Sequence, residues 1–344
     1  MMIHKKEHVL LITTDFVPQK GGIARWAYEE YRELAKRYDV TIIDKFKKEI
    51  VPNSDTRYFR DKEDLKQMVS TLNKSAPFQR ILFFHWEPAL FLLPFLRSAK
   101  ISFTVVLHGW EFLRPRSLWT RYWKRQVLLR CNEIWITSPY MKKKVLACRI
   151  GPEKIKLKPI PIDREIFHPW TDTEVARSRK EHGISGKKVI LSVGRLVERK
   201  DYITILKSVV LLRTRYPEVL YVLIGDGPYR GMIESFITEN HLEENVLLPG
   251  EVEEKVLLEW YCISHVFVLV PRDLEKQGDV EGFGIVYHEA SSCGLPVIGS
   301  RAGGVPYALS LIPNSYLIEP GDFPALAGLI ENLILRKDTS SGPK

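Results

Sequence analysis

Short runs of consecutive apolar residues alternate with helix-length segments along this chain, and the alternation begins twice. A strand that is apolar at every position must be covered on both faces, which selects a parallel sheet sandwiched between helices. In the first series residues 9–14 read as a strand ending at Asp15, followed by the pair Gly21-Gly22 and a helix over 23–36. Residues 40–43, 81–84, 101–107 and 133–137 are predicted as further strands, the second ending at His85 and the third at His108-Gly109. Pro159, Pro161 and Pro169 mark residues 158–169 as a connector. The second series runs through 189–193, 220–224, 266–270 and 296–299. Its first helix is expected to be capped by Asp201, with Ile203, Leu206 and Val210 on one face, and a closing helix-like stretch covers 322–335. Two such series imply two doubly wound α/β domains, residues 1–162 and 163–344, with ligands bound beyond the carboxyl ends of the strands. Asp15, His85, His108, Arg195, Asp226 and Glu281 all fall at strand ends, so the expectation is of two domains facing across a cleft that suits a substrate in two parts.

The chain has 344 residues, of which 45% are apolar and 27% charged, enough for each domain to bury its own core. The net charge of +9 favours anionic partners: nucleic acid, an anionic membrane or phosphorylated small molecules. Cys131, Cys148, Cys262 and Cys293 show no C-x-x-C spacing and read as buried thiols in a reducing compartment. The opening residues carry no secretory pattern, and the longest apolar run, 89–96, contains Pro94 and is too short to span a bilayer. A cytoplasmic protein is the expectation.

Two stretches carry most of the chemistry. In Gly194-Arg195-Leu196-Val197-Glu198-Arg199-Lys200-Asp201, Arg195 and Lys200 stand on a tight loop before a helix, where cations and a helix N-terminus suit a diphosphate. Fixed cations there would stabilise charge gathering on a departing diphosphate; a solvated basic turn is the plainer alternative. In Glu281-Gly282-Phe283-Gly284-Ile285-Val286-Tyr287-His288-Glu289-Ala290 two carboxylates flank glycines, the first in a loop and the second about two turns into a helix. Each carboxylate can accept hydrogen bonds from vicinal hydroxyls, and the glycines let backbone N–H groups approach a ligand. The apolar neighbours Val286, Ala290, Leu295 and Val297 argue against an ordinary surface position for Glu289. Gly21-Gly22 and Gly303-Gly304 each lie between a strand and a helix, where backbone donors meet phosphate, although most glycine pairs are simply turns. His108 could contact a reacting sugar or be a hydrogen-bonded structural histidine. No H-x-H, H-E-x-x-H or D-x-D spacing appears, so no metal is expected, and Arg195 and Lys200 would take its place on the diphosphate.

These strings resemble the retaining glycosyltransferases of the GT-B group called family 4. The resemblance rests on residues 281–290, Cys293-Gly294-Leu295-Pro296-Val297-Ile298, Gly303-Gly304-Val305-Pro306, residues 194–200 and Gly225-Asp226-Gly227-Pro228, with Gly21-Gly22 and His108-Gly109 matching in the first domain. It implies two Rossmann-like domains, an acceptor side first and a donor side second. It implies that Arg195 and Lys200 hold the donor diphosphate and that Glu289 binds the ribose. Glu281 and the backbone at Phe283, Gly284 and Ile285 would hold the sugar, Gly225 would join the donor site, Gly21 and Gly22 would approach the phosphates, and His108 would lie beside the donor sugar. The implied reaction moves a hexose from a UDP- or GDP-sugar to a glycan, lipid or small-molecule acceptor, with retention, without metal or cofactor and without a dedicated protein base.

Residues 278–287 are similar to members that mannosylate phosphatidylinositol lipids, which points to GDP-mannose and a membrane acceptor. Trp119, Arg121, Tyr122, Trp123, Lys124 and Arg125 interleave aromatic and basic residues on a predicted helix, as suits peripheral contact with an anionic membrane, on its inner face if the protein is cytoplasmic. A helix packed on its own domain with a basic outer face is the alternative. The pattern also departs from the family: Tyr307 stands where Glu often follows G-G-x-P, and the usual Asn-Gly before Asp163 is missing. Two rival functions have some support. Gly225-Asp226-Gly227 after a strand suggests a dinucleotide-dependent oxidoreductase of NAD type, but the third glycine, Gly231, comes one residue late. The net charge suggests a nucleic-acid-binding protein, but no nucleic-acid-binding fingerprint accompanies it.

Overall fold

The computed structural model describes residues 6–17, 21–45, 55–114 and 117–335. Residues 1–5, part of the opening read as lacking a secretory pattern, lie outside the described residues. The chain divides into two compact units, Met1–Pro161 with Lys276–Gly278 and Ile162–Glu275 with Asp279–Lys344.

The first unit holds β1 (His8–Ile12), β2 (Asp39–Asp44), β3 (Asp55–Tyr58), β4 (Arg80–Phe83), β5 (Ser102–Leu107), β6 (Glu133–Ile136) and β7 (Ile155–Leu157) in one parallel sheet of order β3-β2-β1-β4-β5-β6-β7. Every residue of β1 is buried because helices cover both faces of the sheet. Leu10, Ile12, Ile81, Phe83, Val105 and Leu107 pack with Leu65, Val69 and Leu92 of the flanking helices, each contributing about 1.5–3 kcal/mol of burial. The strand order reverses between β1 and β4, so a crevice opens at their carboxyl ends. Ile12 pairs with Phe83, which brings the residues after both strands out at one level.

The second unit repeats the plan with β8 (Lys188–Val193), β9 (Val219–Ile224), β10 (Val246–Gly250), β11 (Val266–Val268), β12 (Val297–Ser300) and β13 (Ser315–Ile318), in the parallel order β10-β9-β8-β11-β12-β13. Here the reversal falls between β8 and β11, paired at Ile190–Val266 and Leu191–Phe267. Both units are therefore doubly wound α/β.

Three local expectations are corrected. The first strand ends at Ile12, not at residue 14, because the Thr13 hydroxyl donates to Asp15 O at 2.8 Å and accepts from Asp15 N at 3.1 Å, turning the chain out of the sheet. Asp201 precedes the helix Tyr202–Arg213 in left-handed conformation (φ 50°) and does not cap it with its side chain; the carboxylate accepts from the Thr204 hydroxyl at 2.9 Å. That helix buries Ile205, Leu206, Val209 and Leu212, with Ile203 and Val210 only half-buried, because the helix Phe323–Leu335 packs on it as well as the sheet. No helix among the described residues is long and apolar enough to cross a membrane.

Candidate functional site

At the reversal point of the second unit, the loops after β8 and β11 meet. A short 3-10 turn, Glu198–Lys200, carries Lys200 inward, where it is buried with its Nζ 2.7 Å from Glu281 Oε2. Arg199 joins from the same turn, its Nε 2.9 Å from Asp279 Oδ1 and its Nη1 3.6 Å from Glu281 Oε2. Burial pulls the Lys200 ammonium below its ordinary pKa, and Glu281 offsets this only in part. Burial pushes the Glu281 carboxyl up, but Lys200 and Arg199 outweigh it, and the net shift is downward. The glycine pair after β12 is tied to the same loop: Gly304 N donates to Glu281 O at 2.8 Å and Gly303 N to Asp273 Oδ2 at 3.0 Å. Arg195, on the same loop, is exposed, its carbonyl accepting from Tyr202 Oη at 3.3 Å. The loop thus presents one accessible cation beside a buried, ion-paired one.

The other donor-side candidates cluster around the helix Ile285–Ser292. Phe283 is buried and stacked on His288, with centroids 4.8 Å apart and an interplanar angle of 27°. His288 Nε2 lies 3.0 Å from Ala308 O, so that nitrogen carries the proton, and burial holds the ring's pKa down. Gly284 precedes the helix at φ 84°, and Ile285 is its buried first residue. Glu289 is the fifth residue, just over one turn in rather than two; it is buried and accepts from Tyr261 Oη at 2.9 Å. Gly225 follows β9 at φ 135°, where a Cβ would fall inside 3.0 Å of Gly194 O. The close approach of two backbones accounts for that glycine whatever it binds.

The remaining candidates belong to the first unit. Gly21, at φ 145°, precedes the helix Gly22–Ala35, so the N–H groups of its first turn have no helical partner. Asp15, His85 and His108 gather where β1, β4 and β5 end. His85 Nε2 is 3.6 Å from Asp15 Oδ2, too long for a formed hydrogen bond but close enough to hold the Asp15 carboxyl below its usual range. His108 lies with its ring centroid 5.8 Å from that of His85, against the edge of Trp26 at 5.2 Å. Its Nε2 is 2.9 Å from Phe84 O, and a carbonyl only accepts, so Nε2 bears the proton and Nδ1 is left as an acceptor. The His108 N–H donates to Glu111 Oε1 at 2.6 Å, which fixes the turn. Burial lowers the His108 pKa to about 4, keeping the ring neutral at physiological pH.

That shift carries a stability prediction. The unfolded ring takes a proton near pH 6.5, while the folded ring resists until about 4. Stability is complete above 6.5 and falls as the pH drops towards 4, by at most about 3 kcal/mol because the residue is only half-buried. Urea unfolding between pH 7.5 and 4.5 is expected to show a steeper loss in the wild type than in His108→Gln; parallel slopes would refute it.

Sequence reasoning missed Arg199, Tyr261 and His288, which hold Glu281, Glu289 and Phe283, and Asp279, which pairs with Arg199. Arg199 and His288 lie inside the two motifs and could have been noticed there. Tyr261 carries no local signal, since only the fold brings it to Glu289.

Two doubly wound units, with cations, carboxylates and glycines at their reversal points, define a GT-B architecture. The profile described as Glycosyl transferases group 1 matches residues 174–341, and that described as Glycosyltransferase Family 4 matches residues 20–166. The chain belongs to the family 4 glycosyltransferases and is a transferase enzyme. It is 26% identical over 343 residues, covering 95% of this chain and 89% of the other, to the GDP-mannose-dependent alpha-(1-6)-phosphatidylinositol monomannoside mannosyltransferase of Mycolicibacterium smegmatis. In fold it is similar to Anabaena HepE in complex with UDP-glucose (TM-score 0.80, 18% identity, 96% of this chain and 90% of that one). It is also similar in fold to sucrose-phosphate synthase from Thermosynechococcus elongatus (TM-score 0.78, 19% identity, 96% and 90%). Family membership replaces the oxidoreductase and nucleic-acid readings.

Proposed function

We propose that this enzyme transfers a hexosyl group from a nucleoside-diphosphate sugar to a hydroxyl of a glycan, lipid or small-molecule acceptor, with retention of configuration and without a metal. The observation that carries this reading is the buried Lys200–Glu281 pair, with exposed Arg195 beside it on one loop, at the reversal point of the second unit. A diphosphate entering there would take Arg195 and draw Lys200 partly from Glu281, freeing that carboxylate to accept sugar hydroxyls. The leaving phosphate then gains positive neighbours as its charge grows, which is where fixed charge accelerates a reaction. Glu289, set by Tyr261, would take the ribose. Phe283, Gly284 and Ile285 would offer backbone to the sugar, with Gly225 beside it.

The first unit is proposed as the acceptor side, with Gly21 and Gly22 reaching donor phosphates. His108 would offer its Nδ1 as an acceptor to a sugar hydroxyl. The Mycolicibacterium relative, whose name specifies GDP-mannose and a phosphatidylinositol mannoside, favours a GDP-sugar and a lipid-linked acceptor at an anionic membrane.

A thermal-shift panel of UDP-, GDP- and ADP-sugars, followed by a hydrolysis assay on the best ligand, tests the donor assignment. One nucleotide sugar is expected to raise the melting temperature and to be slowly hydrolysed. The same assay in excess EDTA is expected to keep most of its activity; complete loss restored by Mg²⁺ or Mn²⁺ would remove the metal-free proposal.

A further inference from the structure

We infer that the N-terminal end of the helix Leu118–Arg130, together with Trp110, is a wedge that seats the protein on an anionic lipid bilayer. Leu118 is 80% exposed, Trp119 67%, Tyr122 56% and Trp110 48%, a set of large apolar side chains left open among the described residues. Soluble surfaces scatter such residues singly, and a cluster marks an interaction surface. The far end of the same helix is built into the fold: Val127 and Leu128 are fully buried, and Arg125 Nε donates to Cys148 O at 3.0 Å. Lys124 Nζ donates to Phe112 O at 2.5 Å, tying the helix to the turn behind Trp110.

The exposed rings are braced. Trp123, half-buried, meets Trp119 edge-on at 6.0 Å and Tyr122 at 5.3 Å. The Arg114 guanidinium lies 5.1 Å over the Trp110 ring. A rigid aromatic presentation lowers the entropy lost on docking.

Charge identifies the partner. Residues 112–132 contain Arg114, Arg116, Arg121, Lys124, Arg125 and Arg130 and no Asp or Glu. Tryptophan and tyrosine settle at the headgroup level, where an apolar ring and a polar N–H or O–H are both satisfied, and arginines beside them meet lipid phosphates. A second copy docking through the same face would set these cations against one another, so self-association does not fit. The sequence pattern alone suggested a helix lying along the interface by Trp119 to Trp123. The burial of Val127 and Leu128 instead leaves only the first turns free, so insertion is by the end of the helix. This surface is independent of the transferase reading and can fail without it.

The test is cosedimentation of the full chain with vesicles of phosphatidylcholine alone or mixed with phosphatidylglycerol, at low salt. Binding to the anionic vesicles is expected, weakened about fivefold by Arg121→Gln and at least about tenfold by the pair Leu118→Ser, Trp119→Ser. Brominated lipid should quench fluorescence in the wild type more than in Trp119→Phe. All three replaced side chains are exposed, so melting temperatures should be unchanged, and Leu146→Ser, exposed on a different helix, should bind as the wild type does. No binding at low salt, or equal binding by the Leu118/Trp119 variant, would overturn the proposal. So would a duplex DNA that binds in place of vesicles with the same dependence on Trp119, or a dimer that the variant dissociates.

Discussion

Arg195→Ala is expected to lower sugar transfer by about 10²–10³-fold or more and to leave stability unchanged, whereas Lys200→Ala is expected to lose both. Reading the sequence alone, one would expect the two variants to fold equally well, since both residues are cations on one loop. The structure separates them. Arg195 is exposed, and its side chain can be shortened without leaving anything uncompensated. Lys200 is buried 2.7 Å from Glu281, and removing it strands a buried carboxylate. Breaking a buried pair costs about 3–5 kcal/mol, and Arg199, 3.6 Å from the same oxygen, should hold the loss to the low end. The double variant Lys200→Met, Glu281→Gln removes both charges and should regain most of the stability while remaining inactive. Denaturant unfolding together with kcat/KM for transfer distinguishes the cases. Full transfer by Arg195→Ala would refute its role on the diphosphate. An inactive but normally stable Lys200→Ala would show that Glu281 does not depend on its partner.

The fold was legible where helices cover a strand on both faces. β1, β8 and β9 are buried along nearly their whole length, and their sequences are continuous apolar runs. The strands missed by pattern, β3, β7, β10 and β13, are the four sheet edges or their equivalents in order. Each is partly exposed: Asp55–Tyr58 alternates exposed and half-buried residues, and Val246–Gly250 carries Pro249 at a shift in its register with β9, which a central regular strand would not tolerate. Such strands lack the continuous apolar run that identifies the central ones. At the site, the motifs placed the right residue types but not their pairing. Nothing in the spacing says that Lys200 would face Glu281, because that partner is set by where β8 and β11 lie side by side. Tyr261 was invisible for the same reason: it reads as one more apolar position of a helix, and its hydroxyl gains meaning only against Glu289.

Gly225→Ala is expected to destabilise the second unit by about 3–5 kcal/mol, a large share of a typical domain's stability. Two costs combine. The residue sits at φ 135°, a conformation essentially reserved for glycine, and the added methyl would fall inside 3.0 Å of Gly194 O. Neither chain can give way. Gly194 N donates to Ile224 O at 3.0 Å, Gly225 N to Gly250 O at 2.9 Å, and Leu196 N to Asp226 O at 2.9 Å, so the segments after β8 and β9 are pinned on both sides of the contact. Gly231 provides the control. It lies in the helix Arg230–Glu239, where a Cβ would meet nothing within 4 Å, so Gly231→Ala should be neutral or stabilise by up to about 1 kcal/mol. Urea midpoints for the two variants should therefore move in opposite directions or differ widely. The contrast also weighs the two reasons for a glycine at position 225. If Gly225→Ala unfolds early but its folded fraction still binds nucleotide sugar, the backbone crossing alone required it. If it keeps its stability and loses the ligand, the crossing is softer than its hydrogen bonds imply and the missing side chain makes room for the donor.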